Sequence, residues 1–158
     1  LLTGVEPLAA RWVMRAEVIA SLPDALRRPQ PVFDATGGLH AAALFDRDGR
    51  LIASAEDVGR HNAVDKVIGA QVLMERLPLR DCLLFVSGRA SYELVQKALV
   101  AGVPLLASVS APSSLAIDLA QQGGMTLLGF VRDRSFNVYT GIERVEIADC
   151  TSRIANVP

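Results

Sequence analysis

The chain has 158 residues, of which 51% are hydrophobic and 21% charged, and its formal net charge is −1. That length suits one domain able to bury a core without disulfides or metals. The balance excludes intrinsic disorder and lacks the basic footprint of a nucleic-acid binder, so no nucleic-acid partner is expected.

The longest apolar runs, 103–109 and 125–131, are interrupted by proline, serine or glycine and fall far short of a bilayer span, so no membrane partner is expected either. Cys82 and Cys150 stand far apart, with no C-x-x-C pattern and no histidine at metal-ligand spacing, which argues against a zinc or disulfide scaffold. Cys82 opens the run Cys-Leu-Leu-Phe-Val and reads as a buried small hydrophobe. The first residues lack a secretory pattern, which makes the cytoplasm the expected compartment.

In chain order, Val18, Ile19, Leu22 and Leu26 recur at helical spacing over 16–28, with Pro23 and Pro29 expected to limit that helix. Segments 39–46 and 50–55 flank an Arg-Asp-Gly turn and read as an antiparallel hairpin. A strict alternation follows: helix 60–77, strand 82–87, helix 91–101, strand 104–109, helix 113–122, then strands 125–132 and 136–140. Such alternation predicts an α/β fold with a mostly parallel sheet between two helical layers. Gly102 and Gly123-Gly124 fall at helix ends, Ser91 and Ser113 at helix starts, and the last eight residues, which carry no pattern, are expected to be frayed.

Sites in such folds gather where parallel strands end. Three polar junctions stand there. The first, Glu56-Asp57-Val58-Gly59-Arg60-His61-Asn62-Ala63-Val64-Asp65-Lys66, carries far more polar groups than a helix cap uses. The second is Ser87-Gly88-Arg89-Ala90-Ser91-Tyr92-Glu93, and the third Ser108-Val109-Ser110-Ala111-Pro112-Ser113-Ser114. Converging loops would place Arg60, His61, Lys66 and Arg89 among serines and glycine N–H groups, a setting for a phosphate or pyrophosphate with its base or sugar. Asp57, Asn62 and Asp65 could then accept or donate along a ring edge such as that of guanine. His61 alone could serve as general base, metal ligand or orienting donor, with metal disfavoured because no second ligand is evident. His40, after Thr36-Gly37-Gly38-Leu39, is a secondary candidate in a loop that meets something.

These motifs resemble the formate dehydrogenase accessory sulfurtransferases of the FdhD type. The resemblance rests on Thr36-Gly37-Gly38-Leu39-His40-Ala41-Ala42, the run from Glu56 to Lys66, Ser87-Gly88-Arg89, Ser110-Ala111-Pro112-Ser113-Ser114-Leu115-Ala116, and Gly129-Phe130-Val131-Arg132 leading to Asn137-Val138-Tyr139-Thr140-Gly141. It covers residues 32 to 145.

The resemblance implies a cytoplasmic homodimer that takes persulfide sulfur from a cysteine desulfurase. It delivers that sulfur to the molybdenum or tungsten bis(molybdopterin guanine dinucleotide) cofactor of formate dehydrogenase, for which GDP would be a mimic. It also implies a three-layer α/β/α mixed sheet similar to the cytidine deaminase fold. Deaminase zinc ligands sit at the first two helix starts, which here hold Gly59-Arg60-His61-Asn62 and Gly88-Arg89-Ala90-Ser91 without cysteine, so no zinc is expected. Phe130, Val131, Arg132, Asp133, Arg134 and Ser135 resemble a cofactor-binding stretch of the family, whereas the residues alone read as a strand end and turn.

One departure concerns the sulfur chemistry. The family's Cys-Gly-x-Cys-Gly carrier loop has no counterpart in this sequence, so no catalytic residue is assigned, and neither Cys82 nor Cys150 matches it. Residues 1–14 resemble the start of the family's smaller domain and 15–158 its large cofactor-binding domain. A junction from which the carrier segment is missing is expected between Arg11 and Ala16. The alternative is a non-catalytic chaperone or scaffold that binds the guanine dinucleotide cofactor.

Overall fold

The computed structural model describes residues 7–9, 11–28 and 30–147, and the backbone of 153–156. Strand β1 (Met14–Arg15) runs into helix α1 (Ala16–Arg27), which buries Ile19, Leu22 and Leu26 along one stripe. Pro23 lies inside this helix instead of limiting it. A proline interrupts one helical hydrogen bond, and the buried stripe on both sides of it holds the turns together.

Helix α2 (Pro31–Thr36) is an element that periodicity misses. Its six residues are too few for a pattern, and its first turn is held from a distance: the Glu56 carboxylate accepts the N–H groups of Val32 at 3.2 Å and Phe33 at 2.8 Å. The expected hairpin follows as β2 (His40–Phe45) and β3 (Leu51–Asp57). Next come α3 (Arg60–Leu73), β4 (Leu83–Val86), α4 (Tyr92–Val100), β5 (Leu105–Ser108), α5 (Ser114–Gln122), β6 (Thr126–Arg132) and β7 (Ser135–Thr140), in the predicted order. Strand β8 (Val145–Glu146) pairs with β1. Within the terminal stretch expected to be frayed, β9 (Arg153–Asn156) runs parallel to β7, while Cys150 lies outside the described residues.

The main sheet has the order β3-β2-β4-β5-β6-β7-β9. Hairpins at both flanks introduce antiparallel pairs beside the parallel β4-β5-β6 centre, so the sheet is mixed instead of mostly parallel. Alternate strand residues face opposite layers. On one face Ala42, Leu44, Leu84 and Val86 pack with residues of α3, α4 and α5; on the other Ala43, Phe45, Phe85 and Leu105 pack with α1, Trp12 and Met14. Among the described residues no helix is long and apolar enough to cross a membrane.

This topology brings the site together. Strands β4, β5 and β6 end at one edge, β3 ends there, and β2 and β7 begin there. His40, Asp57, Ser87, Ser108 and the 130–135 turn therefore share one rim.

Candidate functional site

The corner between β3 and α3 is tied by one carboxylate. Asp57 Oδ1 accepts the Gly59 N–H at 2.9 Å and Asn62 Nδ2 at 3.1 Å, and Oδ2 lies 2.6 Å from Lys66 Nζ. Lys66 also donates to the Glu56 carbonyl at 3.0 Å. The Lys66 ammonium first, then the Gly59 N–H and Asn62 amide, pull the Asp57 carboxyl down from 3.8 to about 2. Asp57, Asn62 and Lys66 thus hold the turn together and leave Arg60 and His61 to face the rim.

Arg60 is half-buried, and its Nε is sealed from solvent without a hydrogen-bond partner. A buried donor left unmade costs about 1–3 kcal/mol. A Cβ on Gly88 would sit 3.3 Å from His40 Nδ1 and 3.5 Å from Arg60 Cδ. The arginine and histidine side chains therefore both lie close to Gly88 over the end of β4. Arg89 is exposed and makes no ion pair or hydrogen bond among the described residues.

His61 Nε2 lies 3.2 Å from Ser91 Oγ at the start of α4 and 3.8 Å from the Glu93 carboxylate. The backbone N–H of Glu93 itself and the Ser91 hydroxyl hold the Glu93 carboxyl below its usual range, with His61 and Arg60 adding to them. Glu93 belongs to the second junction but was not among the expected ligands; its spacing two residues after Ser91 was the available signal.

The serines at the rim are largely structural. Ser87 Oγ accepts the Ala41 N–H at 2.9 Å, extending the β2-β4 ladder. Ser108 is fully buried and its hydroxyl donates to the carbonyls of Ser110 at 2.8 Å and Leu128 at 3.3 Å. The Ser110 carbonyl also accepts the Phe130 N–H at 3.3 Å, and Ser113 N–H donates to Ala90 at 3.0 Å, so the loops after β4, β5 and β6 form one seam.

Phe130 adopts φ 53°, and Asp133 and Arg134 adopt 51° and 56° in the β6-β7 turn. The positive φ at a bulky phenylalanine coincides with a register shift between Gly129 and Arg132 that bends β6 at the rim. The Arg132 guanidinium lies 5.5 Å over the Phe130 ring, and Ser135 Oγ donates to the Arg132 carbonyl at 2.9 Å. The Val131 side chain is buried in the core on the α1 face, which leaves only its backbone for the rim. Asp65 is drawn elsewhere, since both its oxygens accept from Lys97 of α4 at 2.6 Å.

Among the described residues no group of three or more His, Cys, Asp or Glu could hold a metal ion. Cys82 is buried, and burial, reinforced by Asp81 and Asp46, pushes its thiol up to about 11.

A family model described as FdhD/NarQ matches residues 2–146. The chain belongs to the FdhD/NarQ family. It is 55% identical to the sulfur carrier protein FdhD of Nocardia farcinica over 150 residues, covering 94% of this chain and 54% of the relative. The corresponding Sulfolobus acidocaldarius protein is 53% identical, with coverage of 92% and 58%. This FdhD/NarQ chain therefore spans about half the length of the curated relatives it matches. Among solved structures, a protein classed as a formate dehydrogenase accessory protein from Desulfotalea psychrophila superposes with a TM-score of 0.82 at 34% identity, over 92% of this chain and 61% of that one. A variant of NE0047 in complex with 8-azaguanine superposes with a TM-score of 0.57 at 20% identity, over 73% and 78% of the two chains. That likeness bears on the fold alone, which is cytidine-deaminase-like.

Proposed function

We propose that this FdhD/NarQ chain is the cofactor-binding domain of a protein that transfers sulfur during formate dehydrogenase maturation. The bound substrate is the molybdenum or tungsten bis(molybdopterin guanine dinucleotide) cofactor. The observation that carries the reading is the buried, unpartnered Nε of Arg60 beside Gly88 at the strand rim. Arg60 and Arg89 receive phosphate oxygens, His61 offers a further donor, and Arg132 and Arg134 extend the positive rim along the β6-β7 turn. Asp57, Asn62 and Lys66 support this grip by fixing the start of α3.

The persulfide arrives from a cysteine desulfurase and rides on carrier cysteines that this chain does not contain. Residues 1–14 belong with the smaller domain, and the carrier segment joins between Arg11 and Ala16. In this reading the protein works as a cytoplasmic homodimer, for which exposed Leu73, Met74 and Val100 offer apolar surface. A second reading, a non-catalytic scaffold for the cofactor, is favoured for this chain taken alone by the inert character of the Cys82 thiol.

Calorimetry with GDP tests the phosphate grip. Arg60→Ala or Arg89→Ala weakens binding by about 1.5–3 kcal/mol where the residue makes a charge-assisted hydrogen bond to phosphate. Unchanged affinity in both variants removes the site. Mass spectrometry of the full-length protein separates the two readings: a persulfide on a Cys-Gly-x-Cys-Gly loop supports transfer, and absence of those cysteines leaves binding alone.

A further inference from the structure

The edge of the sheet opposite the rim carries a second recess. Arg47 follows the end of β2, Arg80 and Asp81 precede β4, and Gly102 precedes β5, so all four stand at the strand ends farthest from Ser87 and Ser108. With residues 7–9, Arg11 and Trp12 they line a cleft of about 590 Å³. That volume is in the range of small-molecule sites, roughly 300–1,000 Å³.

Arg11, Arg47 and Arg80 come to the cleft from three separate segments and face one carboxylate, that of Asp81, so positive charge is in excess there although the chain as a whole has a net charge of −1. Arg47 is fixed in place: its Nη2 is paired with Asp81, and its guanidinium lies 5.4 Å over the Trp12 ring. The buried indole is held in turn, donating from Nε1 to the Arg80 carbonyl at 2.7 Å. Arg11 and Arg80 are exposed, and their side chains make no ion pair or hydrogen bond among the described residues. In the wall, the Leu8 N–H is already given to the Gly123 carbonyl at 2.9 Å and the Gly102 N–H to that of Leu99 at 3.0 Å, so the cleft offers its donors chiefly through the arginine forks.

We propose that this cleft is a second ligand site, separate from the rim, that takes a small molecule bearing two or more phosphate or carboxylate groups. A guanidinium presents paired N–H donors that match either group in a bidentate manner. Arg47 is already ordered by Asp81 and Trp12, so a ligand that uses its remaining N–H groups does not have to immobilise it. Arg11 and Arg80 add two charges with no counter-ion among the described residues, which a multivalent anion neutralises and a monovalent one does not. Arg11 belongs to the first segment of the chain, whereas Arg47 and Arg80 belong to turns at the sheet edge. An anion shared by them ties that segment to the sheet and stabilises the fold by mass action.

The test follows the fluorescence of Trp12, the one tryptophan of these 158 residues, in the full-length protein while inorganic pyrophosphate and citrate are titrated separately at constant ionic strength. A saturable change that disappears in Trp12→Phe is expected with at least one of them; a response to pyrophosphate alone assigns phosphate groups to the ligand, and a response to citrate alone assigns carboxylates. Arg11→Ala and Arg80→Ala, both at exposed positions, are each expected to weaken the responding anion about tenfold, with unfolding midpoints equal to wild type when no anion is present. The anion raises the midpoint of the wild type and not that of the double variant, and Arg60→Ala leaves the Trp12 response unchanged. No saturable change with either anion, a response equalled by chloride, or wild-type affinity in both arginine variants overturns the site. Loss of the response in Arg60→Ala assigns it to the rim, which overturns the second site and leaves the phosphate grip standing.

Discussion

The Lys66 ammonium lies 2.6 Å from the Asp57 carboxylate, so the second turn of α3 is bonded back to the last residue of β3. The contact fixes the direction in which α3 leaves the sheet, and with it the placement of Arg60 and His61 over the rim. Glu56, the preceding residue on the same strand, faces the other layer and holds α2. Two neighbouring carboxylates thus anchor the two sides of one site, as strand alternation dictates.

The Asp57 bond makes acid stability testable. Its carboxyl is lowered from 3.8 to about 2, so its contribution is fully present above about pH 4 and is lost as pH falls toward 2. Thermal unfolding of wild type and Asp57→Asn will differ most above pH 4, and the gap will close between pH 4 and 2. A gap that is constant over that range contradicts the assignment.

Ser108 and Ser110 were expected to touch the ligand, but the Ser108 hydroxyl is buried against two carbonyls. Ser108→Ala will lower stability in urea by about 1–2 kcal/mol and leave the GDP affinity of the folded protein unchanged. Loss of affinity without loss of stability would restore Ser108 as a ligand.

The seam between loops depends on Gly129. A Cβ there would meet Tyr139 Cε2 at 2.8 Å, Pro112 Cδ at 2.9 Å and the Ser110 carbonyl at 3.3 Å. Gly129→Ala will cost about 1–3 kcal/mol by urea unfolding and will also weaken GDP, because the Ser110-Phe130 contact carries the rim. Wild-type stability and affinity together would show that the seam has no such role.

Cys82 packs in the core as a free, buried thiol. With its thiol near 11 and its side chain buried, the thiolate is scarce at neutral pH. Iodoacetamide at pH 7.5 will leave the native protein unlabelled at Cys82 and will label it in urea. Rapid labelling of the native state would contradict this.

The hairpin and the long alternating units were legible because their apolar periods span many residues. Pro23 misled because local propensity yielded to the buried stripe of Ile19, Leu22 and Leu26. Helix α2 and strands β1 and β8 were invisible, since six or two residues carry no period and their partners are distant in sequence. Within the site, the crowding of Glu56 to Lys66 was readable, but the division of labour was not. Whether a carboxylate meets a ligand or a lysine depends on a neighbouring helix, as the Asp65-Lys97 pair demonstrates.

A crystal of the full-length protein soaked with GDP tests the central claim most directly. The account predicts the diphosphate within hydrogen-bond distance of the Arg60 guanidinium, at the rim beside Gly88. GDP bound with its phosphates away from Arg60 and Gly88 would contradict it.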